Sequence, residues 1–166
     1  MKSWSPYALL VVAAIALDQW VKYLVETGLA FQEKLDLVPF LALYRTYNTG
    51  IAFSMFSSFG DTGLVVIAVL VVAFVLYLAT RTPPGHVLAR TGFALIIGGA
   101  LGNLIDRLAR GEGFLDGHVI DWVQVPNFPT FNVADSSISV AVAVLLIGAW
   151  RSTASAREPS NDDASV

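Results

Sequence analysis

Two aspartates, Asp121 and Asp135, flank the entrance to the last membrane-length apolar stretch of the chain. The residues Phe131-Asn132-Val133-Ala134-Asp135-Ser136 run straight into an apolar segment ending near Trp150, which places Asp135 at or inside the edge of a bilayer. A carboxylate at that depth is costly, and ionisable groups there tend to mark working sites. Two carboxylates that share one proton can activate water for attack on an amide carbonyl. Asp121 lies between Ile120 and Trp122, so it is expected to feel desolvation, which raises a carboxyl pKa. Asp135, followed by Ser136, Ser137 and Ser139, also suits a helix N-cap, a role compatible with chemistry.

The other polar residues in apolar surroundings fall into helical pairs. Asp18 and Lys22 are four apart on one face, an arrangement that neutralises both charges. Asn103 and Arg107 share a face in the same way, and a fixed guanidinium there could hold a substrate carbonyl or tune nearby carboxylates. Asp106 lies on another face, four residues before Arg110. His118 and Asp121, three apart, suggest a metal, but the second histidine, His86, falls at the opposite end of a span and no HExxH pattern exists. Ser54, Ser136 and Ser137 have only Lys22 as a nearby base. No metal or other cofactor is expected. With no cysteine in the chain, thiolate catalysis and disulfides are excluded.

Elements that can position these groups follow from hydropathy. The 166 residues are 55% hydrophobic and 14% charged, a membrane protein's balance. The net charge of −3 and scattered Lys and Arg exclude a nucleic-acid-binding patch. The expected architecture is a mostly α bundle of four transmembrane helices, at residues 7–25, 63–80, 87–108 and 133–150, forming one membrane-embedded domain over 1–152. Asp18 and Lys22 interrupt the first apolar run, and no convincing cleavage site follows, so it is read as a retained helix rather than a signal peptide. Lys2, Arg81, Arg90, Arg151 and Arg157 outnumber Lys34, Arg45 and Arg110, which favours cytoplasmic termini.

Residues 26–62 form a long outer segment. Residues 35–38 and 41–45, broken by Pro39, predict a short hairpin or small sheet, and 51–56 an interfacial helical piece. The second helix is expected to start after Asp61 or Thr62 and to end before Pro83-Pro84. Ala94, Gly98 and Gly102 give the third helix a small-residue face. Residues 109–132 are looped, with a possible strand at 119–125, and the tail 153–166 is expected to be disordered and cytoplasmic. In this topology Asp18, Lys22, Asn48, Asn103, Asp106, Arg107, Asp121, Asn132 and Asp135 gather at the outer ends of the spans. A proton-coupled transporter would spread such groups through the membrane depth, whereas residues 64–78 carry no charge.

Five blocks carry a resemblance: Asp18-Gln19-Trp20-Val21-Lys22, Asn48-Thr49-Gly50-Ile51-Ala52-Phe53, Gly98 through Arg107, Val119-Ile120-Asp121-Trp122, and Phe131-Asn132-Val133-Ala134-Asp135. In this order, in a four-span chain, they resemble the lipoprotein signal peptidase (signal peptidase II) family over nearly the whole length. The resemblance implies an inner-membrane aspartic endopeptidase that cuts before the diacylglyceryl-modified cysteine of bacterial prolipoproteins. It maps the catalytic pair onto Asp121 and Asp135 and supporting roles onto Asp18, Lys22, Asn48, Asn103, Arg107 and Asn132. Gly50 would supply a bend in the covering segment. The implied partners are the lipidated substrate and membrane lipids, with the enzyme a monomer and its site toward the periplasmic face. One departure is the stretch Gly111 to Gly117, longer than the usual connection.

Overall fold

The computed structural model describes residues 4–48, 60–111 and 117–155. Gly50, the interfacial piece at 51–56, most of the long loop and the tail beyond 155 lie outside the described residues. Four helices dominate: α1 (Ser5–Gly28), α2 (Gly60–Arg81), α3 (Val87–Ala109) and α4 (Val133–Ser155). They have 24, 22, 23 and 23 residues, and at about 1.5 Å per residue they reach roughly 33–36 Å, enough to cross a hydrocarbon core of about 30 Å. All four are apolar enough to span. Their outward faces carry exposed Leu9, Val12, Trp20, Leu70, Phe74 and Leu146, which only a lipid environment accommodates at this density.

Helix boundaries follow local chemistry. Pro6 lies in the first turn of α1, where its missing N–H is no loss. The α1 chain leaves the helix at Leu29 in an extended conformation. Thr82-Pro83-Pro84 ends α2. Several boundaries lie outside the expected spans. α1 runs Ser5–Gly28 rather than 7–25, α2 begins at Gly60, before the anticipated caps, and α4 continues to Ser155 rather than stopping near 150, so 153–155 are helical rather than part of the tail. In that last turn Ser152 donates its hydroxyl to Gly148 O at 3.0 Å and Thr153 to Trp150 O at 2.8 Å, so these polar side chains are satisfied by the helix itself.

α3 is the central helix because its glycines let neighbours approach. A Cβ on Gly98 would stand 2.7 Å from the Ala14 Cβ of α1, and one on Gly102 would stand 2.8 Å from Asp18 Oδ2. Gly92 and Gly99 serve a second face toward α4: a Cβ on Gly99 would lie 2.5 Å from the Ala134 carbonyl oxygen. The expected stripe of Ala94, Gly98 and Gly102 is therefore half of the device.

Above one end of the bundle sits a three-stranded antiparallel sheet in the order β1 (Lys34–Val38), β2 (Leu41–Asn48) and β3 (Val119–Gln124). The expected hairpin at 35–45 and the strand at 119–125 are thus one sheet. β2 pairs with β3 so that Thr46 faces Asp121 and Asn48 faces Val119. After β3 the chain turns through Asn127, whose φ of 60° lies in the left-handed region that Asn tolerates. It then returns so that Phe131 pairs with Val123. One residue later α4 is capped. This return brings Asp121 and Asp135 together.

Candidate active site

Asn132 stands between the two aspartates and is bonded to both. As N-cap of α4, its Oδ1 accepts the Asp135 N–H at 2.9 Å, while its own N–H donates to Asp135 Oδ2 at 3.2 Å. This is a reciprocal capping box with Asp135 at the third helical position. The capping expectation for Asp135 is thereby corrected: Asn132 is the cap and Asp135 its partner. Asn132 Nδ2 donates to Asp121 Oδ1 at 2.7 Å and to Asn103 Oδ1 at 3.1 Å. The remaining oxygens are also supplied, Asp121 Oδ2 by Asn48 Nδ2 at 2.9 Å and Asp135 Oδ1 by Asn103 Nδ2 at 2.8 Å. Asp121 is 2% exposed and Asn132 fully buried, whereas Asp135 is half-buried. The pair is therefore reached from the Asp135 side.

Burial pushes the Asp121 carboxyl up to about 7, and the charge of Asp135 adds to the rise. Hydrogen bonds from Asn48 and Asn132 and the charge of Lys22 oppose it. The expected desolvation of Asp121 is present, and near neutral pH this group both holds and releases a proton.

Beneath the pair lies a buried ionic cluster that joins three helices and a strand. Lys22 is fully buried, and its Nζ meets Asp18 Oδ2 at 2.7 Å, Asp106 Oδ2 at 2.7 Å and Asn103 Oδ1 at 2.9 Å. Three ammonium donors have three acceptors, so Lys22 has no spare role as a base for a serine. Ser136 and Ser137 donate to the backbone oxygens of Asn132 and Val133. Asp18 Oδ1 accepts the Ala134 N–H of α4 at 2.9 Å, which ties α1 to the first turn that carries Asp135. Lys22 also fixes the Asn103 amide: because Oδ1 faces the ammonium, Nδ2 must face Asp135.

Asp106 does more than pair with Arg110. It accepts Arg110 Nε at 3.1 Å, Gln19 Nε2 at 2.8 Å and the Ile120 N–H at 3.3 Å, in addition to Lys22. Arg110 further pairs with Glu26. Gln19 and Glu26 were not singled out from sequence, although Asp18, Lys22 and Glu26 recur every four residues along α1, a polar face visible by spacing. Arg107, expected beside the carboxylates, is half-buried, with Nη1 3.5 Å from the Asn103 carbonyl oxygen. His118 stacks on Tyr47, the ring centroids 3.7 Å apart, and desolvation holds its pKa below the usual value. His86 lies at the far end of α3, next to its N-terminus.

Four helices of membrane-spanning length with two amide-bridged carboxylates at one end define a multi-pass membrane protein whose paired carboxyl groups can exchange a proton. The sequence pattern described as Signal peptidase (SPase) II matches residues 10–151. The chain belongs to this family, membrane proteases that remove signal peptides from prolipoproteins. The lipoprotein signal peptidase of Mesorhizobium japonicum is 74% identical over 97% of this chain and 94% of its own length. That of Brucella ovis is 46% identical over 82% and 84%. Two solved structures described as bacterial membrane enzymes superpose with TM-scores of 0.75 and 0.80 at 27% and 26% identity. They cover 86% and 94% of this chain and 91% and 94% of their own.

Proposed function

We propose that Asp121 and Asp135 are the catalytic pair of an endopeptidase that cleaves diacylglyceryl-modified prolipoproteins before the lipidated cysteine. The observation that carries this reading is that Asn132 donates to both carboxylates, its side chain to Asp121 and its backbone N–H to Asp135, with Asp121 raised to about 7 partly by the charge of Asp135. Asp121 carries the shared proton and Asp135 takes a proton from water as the water oxygen bonds to the scissile carbonyl carbon. The carbonyl π electrons move to oxygen, which receives the Asp121 proton, and a neutral gem-diol forms. In the second half Asp121 recovers a proton from one diol hydroxyl as the carbonyl re-forms. The C–N bond breaks, and Asp135 protonates the leaving nitrogen.

Asn48, Asn103 and Asn132 hold the pair by donated hydrogen bonds, and Asp18 and Lys22 act through Asn103 and the α4 N-terminus. Arg107, at the α3 end beside Asn103, supports the substrate side, and the family resemblance gives Gly50 a supporting role. The charge bias of the loops supports termini in the cytoplasm and a site at the outer face of the inner membrane. There a lipidated substrate keeps its acyl chains in hydrocarbon while its peptide bond meets water.

Replacing Asp121 or Asp135 by Asn preserves shape and removes carboxylate chemistry. Cleavage of a lipidated precursor is expected to fall by at least about a thousandfold in each, with no effect of a chelator on the parent protein. Near-normal turnover in either variant would refute the pair.

A further inference from the structure

At the end of the bundle opposite the carboxylates, Arg90 is 3% exposed. It lies sixteen residues before Asp106 on α3, so it sits about 24 Å away along the helix axis. Nη2 donates to the Thr82 carbonyl oxygen at 3.0 Å, but Nε and Nη1 are buried without an acceptor among the described residues. The ring of Trp4 lies 4.1 Å and that of Tyr7 5.8 Å from the guanidinium carbon. These rings attract the cation yet do not replace the in-plane acceptors that a guanidinium fork matches.

Arg90, Ala94 and Ile97 are spaced i, i+4, i+7, so the guanidinium shares a helix face with two residues of an apolar groove. That groove, of about 420 Å³, runs between α1, α2 and α3 and is lined by Tyr7, Val11, Leu76, Ala79, Ala94 and Ile97. Its volume falls within the roughly 300–1,000 Å³ of ligand pockets. Trp4, whose ring lies against the guanidinium, also lines this groove. It sits just outside α1, without a side-chain cap bond, and is 39% exposed, so a rotamer change uncovers the guanidinium. Arg81, at the end of α2, adds a second cation at this level.

We propose that this is a binding site for an anionic phospholipid, its phosphate paired with Arg90 and one acyl chain in the groove. A buried guanidinium whose Nε and Nη1 lack acceptors among the described residues selects a phosphate, an apolar groove selects a chain, and at bilayer depth one molecule supplies both. Trp4 swings from the guanidinium to the rim, the position that aromatic residues favour at membrane interfaces.

Native mass spectrometry of the detergent-purified protein, with phosphatidylglycerol and phosphatidylcholine added in equal amounts, reads the site. Retention of one phosphatidylglycerol at about tenfold preference is expected, as one charge-assisted contact gives. Arg90→Gln should erase the preference and Arg90→Lys should keep part of it. Ala94→Phe, which fills the groove, should lower retention with the cation intact, and circular dichroism should show each variant folded. Should Arg90→Gln not fold, Ala94→Phe and Arg90→Lys decide the matter. Equal retention of both lipids, or an unchanged preference in Arg90→Gln, overturns the proposal. Displacement of the lipid by millimolar inorganic phosphate also overturns it, since that identifies an anion site without a lipid-chain requirement.

Discussion

Removing the Asn48 amide tests how the carboxylate pair is tuned. Asn48 Nδ2 donates to Asp121 Oδ2 at 2.9 Å, a bond that favours the ionised form and holds the Asp121 pKa down against burial. In Asn48→Ala that restraint is lost, so the pKa must rise further. A hydrogen bond to a charged group contributes about 1.5–3 kcal/mol, and one pKa unit corresponds to about 1.4 kcal/mol, which gives a rise of roughly one to two units. Two features keep the shift near the lower end. Asn132 still donates to Asp121 Oδ1 at 2.7 Å, and Asn48 is half-buried, so water entering the space replaces part of the bond. In the proposed mechanism activity requires one proton on the pair and is lost as pH rises through the upper apparent pKa, which belongs to the pair as a unit. The alkaline limb of kcat/KM against pH, which reports the free enzyme, measured with a lipidated fluorogenic peptide in micelles, should therefore move from about 7 to about 8 in Asn48→Ala. An opposite shift is expected in Asp135→Asn, where the raising charge is gone. A carboxyl ¹³C titration of Asp121 should then fall below about 7 yet stay above 3.8, because desolvation remains the larger cause. An unmoved limb, or one displaced toward acid in Asn48→Ala, would refute this account of the tuning.

Other consequences concern packing and topology. Lys22→Met leaves Asp18 and Asp106 buried without their shared cation, and should lower stability by about 3–5 kcal/mol; thermal unfolding in detergent checks this, with a loss below about 1 kcal/mol counting against the cluster. Gly99→Ala drives a Cβ to 2.5 Å from the Ala134 carbonyl oxygen, forcing α3 and the Asp135 turn apart at a cost of about 1–3 kcal/mol. Gly85→Ala, with open space around it, should stay within about 0.5 kcal/mol. Because the chain has no cysteine, Lys34→Cys and Ser152→Cys report topology. A membrane-impermeant maleimide on intact spheroplasts should label the first and spare the second, and the reverse pattern would overturn the proposed orientation.

Much of the fold was legible because its signals are local. Apolar runs of bilayer length gave the four spans, Pro83-Pro84 gave the α2–α3 break, and the β-rich stretches on both sides of Pro39 gave the hairpin. The union of that hairpin with β3 was not legible, since pairing Thr46 with Asp121 spans a sequence separation that no periodicity encodes. Candidate residues followed the same division. Types and depth singled out Asp121, Asp135, Lys22 and Asn103, but not the burial of Asp106 among four donors, because an i,i+4 neighbour such as Arg110 is visible in sequence while Gln19, Lys22 and the Ile120 amide converge only in three dimensions. The capping assignment of Asp135 failed by three residues. Asp and Asn both cap well, and only the backbone decides between them.

The buried charges are better understood as a register device than as a source of stability. An ion pair taken out of water often returns no net free energy relative to apolar packing, and α1, α3 and α4 already have glycine-mediated contacts to hold them. What apolar contacts do not set is the axial position of one helix against another, since a slide of a fraction of a turn exchanges one aliphatic contact for a similar one. Asp18 Oδ1 on the Ala134 N–H fixes α1 against the first turn of α4, and Lys22 fixes α1 against Asn103 and Asp106 of α3. Asp106 in turn holds the Ile120 N–H next to Asp121. A slide breaks several directional bonds at once in a medium without water to replace them. The carboxylates are therefore located by elements that meet at one cluster, and the proton sharing proposed for the pair requires positioning of this accuracy more than it requires a deeper energy minimum.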